Sequence, residues 1–316
     1  MGTTEADVSV LIPSYRRPLM TLAAVEWACS TRAGEILVSD DASNDDTLET
    51  LQSVRDGRLR IVAQPLNLGL WRNHFALLRM ATRPWVKFLQ NDDRISSDGL
   101  RLMVEAIGPE TSVVSSLDLL QDAKTNELQR VFELSQTRRW TSDEYLRRLL
   151  VFGNELGSPT STLFRADALE RSEEAWSNDK SSDLISNVMA ASRGEVVLLP
   201  PGATITVDHE GRDTHVGSWE LSHKRLLNTV RYLAHRPDQR VRRFARVFGV
   251  VEGVGAIRNA AGMLRRRGSL YNGFVGDVTE LFGEAWSWTL VRDVPSMSRM
   301  LRLKYGKRTG LYLDAL

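Results

Sequence analysis

Four short β-branched runs mark the first ninety residues: VSVLI at 8–12, EILVS at 35–39, RIVA at 60–63 and WVKFL at 85–89. Between them lie helical stretches. Residues 18–30 open on Pro18 and carry Leu22, Val25, Trp27 and Ala28 on one face, a second helix starts near Asp45 with Asn44 or Asp45 as its cap, and a third runs from about Leu70 to Ala81. Strand and helix alternating in short units can bury their apolar runs only in a mostly parallel central sheet with helices on both faces, a Rossmann-like α/β architecture. The first run is expected to stop at Pro13, because a central strand needs the N–H that proline lacks.

In open α/β sheets ligands settle beyond the carboxyl ends of the strands. Three polar clusters fall there: PSYRR after the first run, DDASNDD after the second and QNDD after the fourth. Carboxylates gathered at strand ends repel one another unless a cation or ligand uses them. The bland alternative is that Asp40 and Asp41 cap the following turn and that Asn91, Asp92 and Asp93 form a plain turn before a helix starting near Ser96.

After Asp98 the pattern loosens. A helix runs to about Ile107, followed by a strand at SVVSS, a hairpin to Phe132, and a helix from Thr141, which has Glu144 three residues on, to about Phe152. The Gly- and Pro-bearing stretch GNELGSPTSTLF leads into a short strand. A helix over 180–192 and the strand EVVLL come next, then the segment TITVDHEGRDTH. From about Trp219 the chain becomes helical in period and rich in arginine, so a boundary is expected there, with an α/β domain over 1–218 and a helical subdomain over 219–316.

Composition narrows the function classes. With 42% hydrophobic and 26% charged residues the chain is globular, and a net charge of +1 gives no pull toward nucleic acid. The single cysteine, Cys29, excludes a disulfide framework and reads as a small buried apolar residue. The N-terminal residues lack a secretory signal pattern, and no apolar stretch reaches spanning length, so a cytoplasmic protein is expected.

Taken together, VSVLIPSYRRP, ILVSDDASNDDT, NLGLWRN and VKFLQNDD, in that order, resemble the N-terminal half of family 2 glycosyltransferases of the GT-A fold. The resemblance covers about residues 7–215 and is tight to residue 100. It implies a donor that is a nucleoside diphosphate sugar, a uridine or thymidine one, a hydroxyl acceptor on a glycan, lipid carrier or natural product, and an inverting transfer that uses Mn²⁺ or Mg²⁺.

For the nucleotide, Tyr15 can stack on a pyrimidine, Pro13 and Ser14 can present backbone groups to its edge, and Asp41 can accept from the ring N–H. Arg16, Asp40 and Arg72 complete the expected base pocket, Arg72 by its place in NLGLWRN. The triplet Asn91, Asp92, Asp93 resembles the family's DXD-type element, which makes Asp93 the expected metal ligand and gives Asp92 the ribose or the metal's support. His209 resembles a late histidine near the diphosphate or metal, although the arginine usual two residues before it is Val207 here; His215 is a weaker candidate, and a surface loop histidine fits either.

Direct displacement at the anomeric carbon needs a base on the side away from the leaving diphosphate, and an ionised carboxylate serves. The family places this base late in the domain. In WSNDKSSDLISNVM the match is Asp183, with Asp179 as alternate; the aromatic residues usual after the base are replaced by Leu184, Ile185 and Ser186, which leaves a plain helix cap open as well. Trp140 and Trp176 are candidate sugar platforms or core residues, and the 153–162 loop resembles an acceptor-side segment. Arginines 240, 242, 243 and 246, with 265–267, bracket an apolar stretch that can dock on the catalytic domain or lie on an anionic membrane surface such as the inner face of the cell membrane. Two rival classes remain. A sugar nucleotidyltransferase would want a glycine-rich phosphate loop that IPSYRRP lacks, and a silent nucleotide-binding protein is suggested by the altered pattern around Asp183.

Overall fold

A computed structural model describes residues 2–116, 119–125, 127–130, 134–208 and 219–267, with positions 275 and 279. The chain forms two compact units. One is Met1–Ser142, Leu156–Asn178 and Met189–Val216, and the other is Asp143–Glu155, Asp179–Val188 and Gly217–Leu316.

The first unit is built on β1 (Val8–Ser14), β2 (Glu35–Asp40), β3 (Leu59–Ala63), β4 (Trp85–Phe88), β6 (Thr111–Ser116), β9 (Arg138–Trp140), β10 (Thr162–Arg165) and β11 (Glu195–Leu199). They make one sheet in the order β3-β2-β1-β4-β10-β6-β11-β9. The pairs β3/β2, β2/β1, β1/β4 and β6/β11 are parallel, while β10 runs antiparallel between β4 and β6 and β9 antiparallel along β11. The mostly parallel α/β sheet anticipated from the strand–helix alternation is therefore present. Its helices are α1 (Pro18–Ser30), α2 (Thr47–Leu51), α3 (Leu70–Met80) and α4 (Gly99–Glu105). The second helix is shorter than expected: Asp45 Oδ1 caps Thr47 N at 3.0 Å, and the helix ends after five residues.

Burial explains why the first run is continuous rather than alternating. Every residue of β1 is buried, as befits a strand covered on both faces. Val8, Val10 and Ile12 share a core with Ala24, Val25 and Ala28 of α1 and Met103 of α4, and strand alternation turns Leu11 to the other face. Each fully buried Val, Leu, Ile or Met among them contributes about 1.5–3 kcal/mol relative to exposure.

The strand does not stop at Pro13. It continues to Ser14, with Pro13 opposite Ser39 of β2. Leu11 O accepts from Leu89 N at 2.9 Å, so odd positions of β1 face β4, and Ser14 O accepts from Asp41 N at 2.9 Å, so even positions face β2. Proline's missing N–H thus points past the last residue of β4, where no ladder bond is lost.

A second, smaller sheet joins β5 (Arg94–Ile95), β12 (Thr204–Asp208), β7 (Leu119–Asp122) and β8 (Leu128–Arg130) in that order. It brings β12 alongside the segment that follows β4, with Ile205 opposite Arg94.

The second unit contains most of α5 (Ser142–Phe152), the first turns of α6 (Ser182–Ser192), and α7 (Trp219–Ala234) and α8 (Gln239–Arg267). Arg148 and Glu155 form a buried ion pair with contacts of 2.7 and 2.9 Å. Ser181 N donates to Thr229 Oγ1 at 2.9 Å, tying the start of α6 to α7. Phe244 and Phe248 stack along α8. Among the described residues no helix is long and apolar enough to cross a membrane.

Candidate functional site

The parallel register of β2, β1 and β4 brings three chain ends to one edge of the sheet. Ser14 lies opposite Asp40, and Leu89 bonds back to Leu11 just before the polar turn 90–93. Sharp turns follow β1 and β2, and each uses a non-glycine residue in the left-handed region: Arg16 at φ 53° and Ala42 at φ 57°. Such conformations cost of order 1–3 kcal/mol and persist where surrounding bonds fix them. Here Arg16 N donates to Ser43 Oγ at 2.8 Å, and Asp40 accepts from Ser43 N at 3.0 Å and Ser43 Oγ at 2.6 Å. Asp40 therefore holds the turn.

Asp41 is buried and receives a loop from a distant part of the chain. Its Oδ1 accepts from Leu68 N at 2.6 Å and its Oδ2 from Gly69 N at 2.9 Å. A carboxylate has about four acceptor sites, so two bonds leave it able to take another donor. Gly69 is required twice over: its φ is +82°, and a Cβ there would lie 2.4 Å from Asn178 Nδ2. Asn178 closes the same loop, accepting from Trp71 N at 2.9 Å and donating to Leu68 O at 3.0 Å.

Past β4, Asp93 N bonds to Gln90 O and closes the turn. Asp93 is buried, and its Oδ1 accepts from Val207 N of β12 at 3.2 Å. Arg17, at the start of α1, places Nη1 2.8 Å from Asp92 Oδ2 and 3.5 Å from Asn91 Oδ1. The turns after β1 and β4 are thus joined by an ion pair. Its basic member is Arg17, adjacent to the Arg16 assigned from sequence.

Helix α3 supports the same turn from beneath. His74 is fully buried; its Nδ1 lies 2.7 Å from Leu70 O and its Nε2 3.0 Å from Gln90 Nε2. The carbonyl can only accept, so Nδ1 carries the proton and Nε2 accepts from Gln90. Burial pushes the imidazole down to about 4, so it is neutral at ordinary pH. Thr160 Oγ1 accepts from Gln90 N at 3.0 Å, which attaches the glycine- and proline-bearing loop to this turn.

The remaining candidates are placed as follows. Tyr15 is 40% exposed, with the Arg16 guanidinium 4.9 Å from its ring centroid. Arg72 is exposed and faces Glu173 at 3.9 Å. Trp176 is a core residue: it is buried beside Phe88 and Phe75, and its indole N–H donates to Glu170 O at 2.8 Å. Trp140 is half-buried on β9. Cys29 is half-buried, and its thiol is pushed up to about 11 by burial and by Asp56, which suits an inert packing role.

In the second unit, Asp183 sits in the first turn of α6, where burial raises its carboxyl above the usual range against the opposing pull of the Leu184 N–H and Arg225. Asp179 is exposed and engaged, with Lys180 Nζ at 3.3 Å and Asn228 Nδ2 at 3.2 Å. His209 and His215 lie outside the described residues, as do Phe132 and the side chains of Arg265, Arg266 and Arg267. Among the described residues no group of three or more His, Cys, Asp or Glu is arranged to hold a metal ion.

Known proteins resemble this chain in sequence or in fold. The succinoglycan biosynthesis protein ExoO of Rhizobium meliloti (strain 1021) is 26% identical over 155 residues, 47% of this chain and 44% of that protein. The chain therefore spans under half the length of that relative. The fold is also that of S. aureus TarS 1-349 in complex with UDP-GlcNAc, with a TM-score of 0.66 at 13% identity over 94% of this chain and 90% of the other. Mannosyltransferase PcManGT from Pyrobaculum calidifontis, in complex with GDP-Man and Mn²⁺, gives a TM-score of 0.53 at 13% identity over 94% and 85% of the two chains. The model of glycosyl transferase family 2 matches residues 9–172, just over half of the sequence and the segment that carries the three polar strand ends, so this chain belongs to that family.

Proposed function

We propose that this glycosyltransferase moves a sugar from a uridine or thymidine diphosphate sugar to an acceptor hydroxyl, with inversion at the anomeric carbon and with Mg²⁺ or Mn²⁺. The observation that carries the reading is the pair of acidic strand ends on either side of β1: Asp41 after β2, and Asp92 with Asp93 after β4. UDP-GlcNAc with TarS and GDP-Man with PcManGT support a nucleoside diphosphate sugar as donor; the uridine or thymidine choice rests on the pyrimidine reading of Tyr15 and Asp41.

In this reading Tyr15 stacks on the base, Asp41 accepts from its ring N–H, Arg16, Asp40 and Arg72 border the pocket, and backbone groups at Pro13 and Ser14 meet the base edge. The Asn91–Asp93 turn fits a hard divalent cation, because it gathers two carboxylates, Asp92 and Asp93, on one short turn after β4. Bound there, the cation would offset charge developing on the departing diphosphate.

Asp183 takes the proton of the attacking hydroxyl. A carboxyl whose affinity for protons is raised by burial is the better acceptor near neutral pH. Asp179 is the alternate base, and His209 a further contact to phosphate or metal. The helical segment 219–316 sets acceptor choice, and the ExoO relative favours an acceptor in polysaccharide assembly.

The test is to incubate the protein with UDP- and dTDP-sugars, and separately with UTP or dTTP plus sugar 1-phosphates, each with Mn²⁺ and with or without EDTA, and to follow nucleoside diphosphate or pyrophosphate by anion-exchange chromatography. Release that EDTA abolishes is expected. Binding without any release, or pyrophosphate formed from a nucleoside triphosphate, would replace this reading with one of the two rivals.

A further inference from the structure

We propose that Arg17 is a built-in cation for the Asn91–Asp93 turn: it holds Asp92 in the donor-free protein and turns to the donor's diphosphate when that arrives. The inference rests on the nucleotide-sugar reading and goes beyond it by assigning a phosphate-binding residue.

Three observations carry it. Arg17 reaches both polar side chains at the head of the turn, Asp92 at 2.8 Å and Asn91 at 3.5 Å, so its guanidinium lies where the turn gathers charge. It leaves the main chain at the carboxyl end of β1, one residue after the left-handed Arg16, and that bend aims the following side chain at the β4 turn. The pair is half-open, with side-chain exposures of 34% and 18%, so an arriving anion can reach the guanidinium without unfolding anything.

The chemistry suits an exchange of partners. A guanidinium stays protonated at all working pH values and matches carboxylate and phosphate with the same forked geometry. While it sits on Asp92 it competes with a divalent cation for that carboxylate. Once a diphosphate arrives, each positive charge has its own oxygens, and competition becomes cooperation. Two signs follow: removing the guanidinium weakens binding of a nucleoside diphosphate when no divalent ion is present, and it tightens binding of the ion when no nucleotide is present.

The experiment compares wild type with Arg17→Gln and Arg17→Lys, using calorimetry with UDP, dTDP and GDP in EDTA and Mn²⁺ titration by electron paramagnetic resonance without nucleotide. The expected result for Arg17→Gln is about tenfold weaker UDP or dTDP binding in EDTA, the size of one charge-assisted bond at a partly exposed site. Mn²⁺ binding should tighten about threefold with an unchanged Tm, and Arg17→Lys should recover part of both effects. Nucleotide binding in EDTA that Arg17→Gln leaves unchanged would overturn the role of Arg17 alone. Wild-type protein that binds none of the three nucleotides with or without Mn²⁺ would overturn the donor reading, and this inference with it.

Discussion

Asn178 uses both edges of its carboxamide on one loop, accepting from Trp71 N at 2.9 Å and donating to Leu68 O at 3.0 Å, while that loop's amides at 68 and 69 hold the Asp41 carboxylate. The carboxylate proposed to read the base is therefore only as well fixed as a residue 110 positions from Leu68 in the chain allows.

Asn178→Ala should loosen this arrangement, costing about 1–3 kcal/mol in stability for the two lost bonds and raising the donor KM more than it lowers kcat. Gly69→Ala should be at least as damaging, since it adds a clash with Asn178 to a left-handed backbone. Denaturant midpoints and steady-state kinetics on both variants check this; a donor KM that stays at the wild-type value in Asn178→Ala would separate the loop from the nucleotide.

His74 gives a pH signature. Its folded-state value of about 4 lies below the ordinary histidine value of 6.5, so the neutral ring favours the folded state. That contribution is complete above the unfolded value and is lost as pH falls from about 6.5 toward 4, by about 1.4 kcal/mol per unit and roughly 3 kcal/mol in all. His74→Gln should flatten this part of the stability profile. Urea unfolding at pH 7.5 and pH 4.5 measures it, and equal acid losses in wild type and variant would remove His74 as the cause.

Asp183→Asn should leave donor binding near wild type while lowering turnover by about 10² to 10⁴, the range of a general base. The base must be ionised, and burial raises its proton affinity, so turnover in the wild type should fall as pH drops through a value above the ordinary aspartate range. Plots of kcat against pH test both points: a variant that keeps the wild-type rate would move the role to Asp179, and a wild-type acid limb at the ordinary aspartate value of about 3.9 would remove Asp183 as the base.

Asp93→Ala should weaken Mn²⁺ and nucleotide binding together, because the proposed site uses the same turn for both, and EDTA should have little further effect on the variant. Metal-dependent nucleotide binding that survives the substitution would exclude Asp93 as the ligand.

The sheet was legible because β-branched runs and the helical stretches between them are local signals, and its ligand-facing edge follows from parallel order. What escaped is non-local. The strands Arg94–Ile95 and Arg138–Trp140 are too short to show a period and exist through pairing with β12 and β11. Pro13 reads as a stop until one knows which neighbour its missing N–H would have faced. The arginine pair after Tyr15 signals positive charge, but only the left-handed turn at Arg16 decides that Arg17 meets Asp92. Trp176 is indistinguishable in sequence from an exposed platform, and only its position against Phe88 makes it core. Asn178 and Thr160 act through backbone groups far away in the chain, which no motif records.

The chain leaves and re-enters its first unit repeatedly, changing over after Ser142, Glu155, Asn178, Val188 and Val216. Neither unit is a consecutive cassette. Cutting the chain after Val216 would strand the pieces Asp143–Glu155 and Asp179–Val188 without the helices they pack among, and grafting a relative's tail onto this sheet would have to carry those two inserts with it. Replacing the second unit is consequently a three-segment exchange, in which the cut after Asn178 also severs the clamp on Leu68 from the carboxylate that follows it.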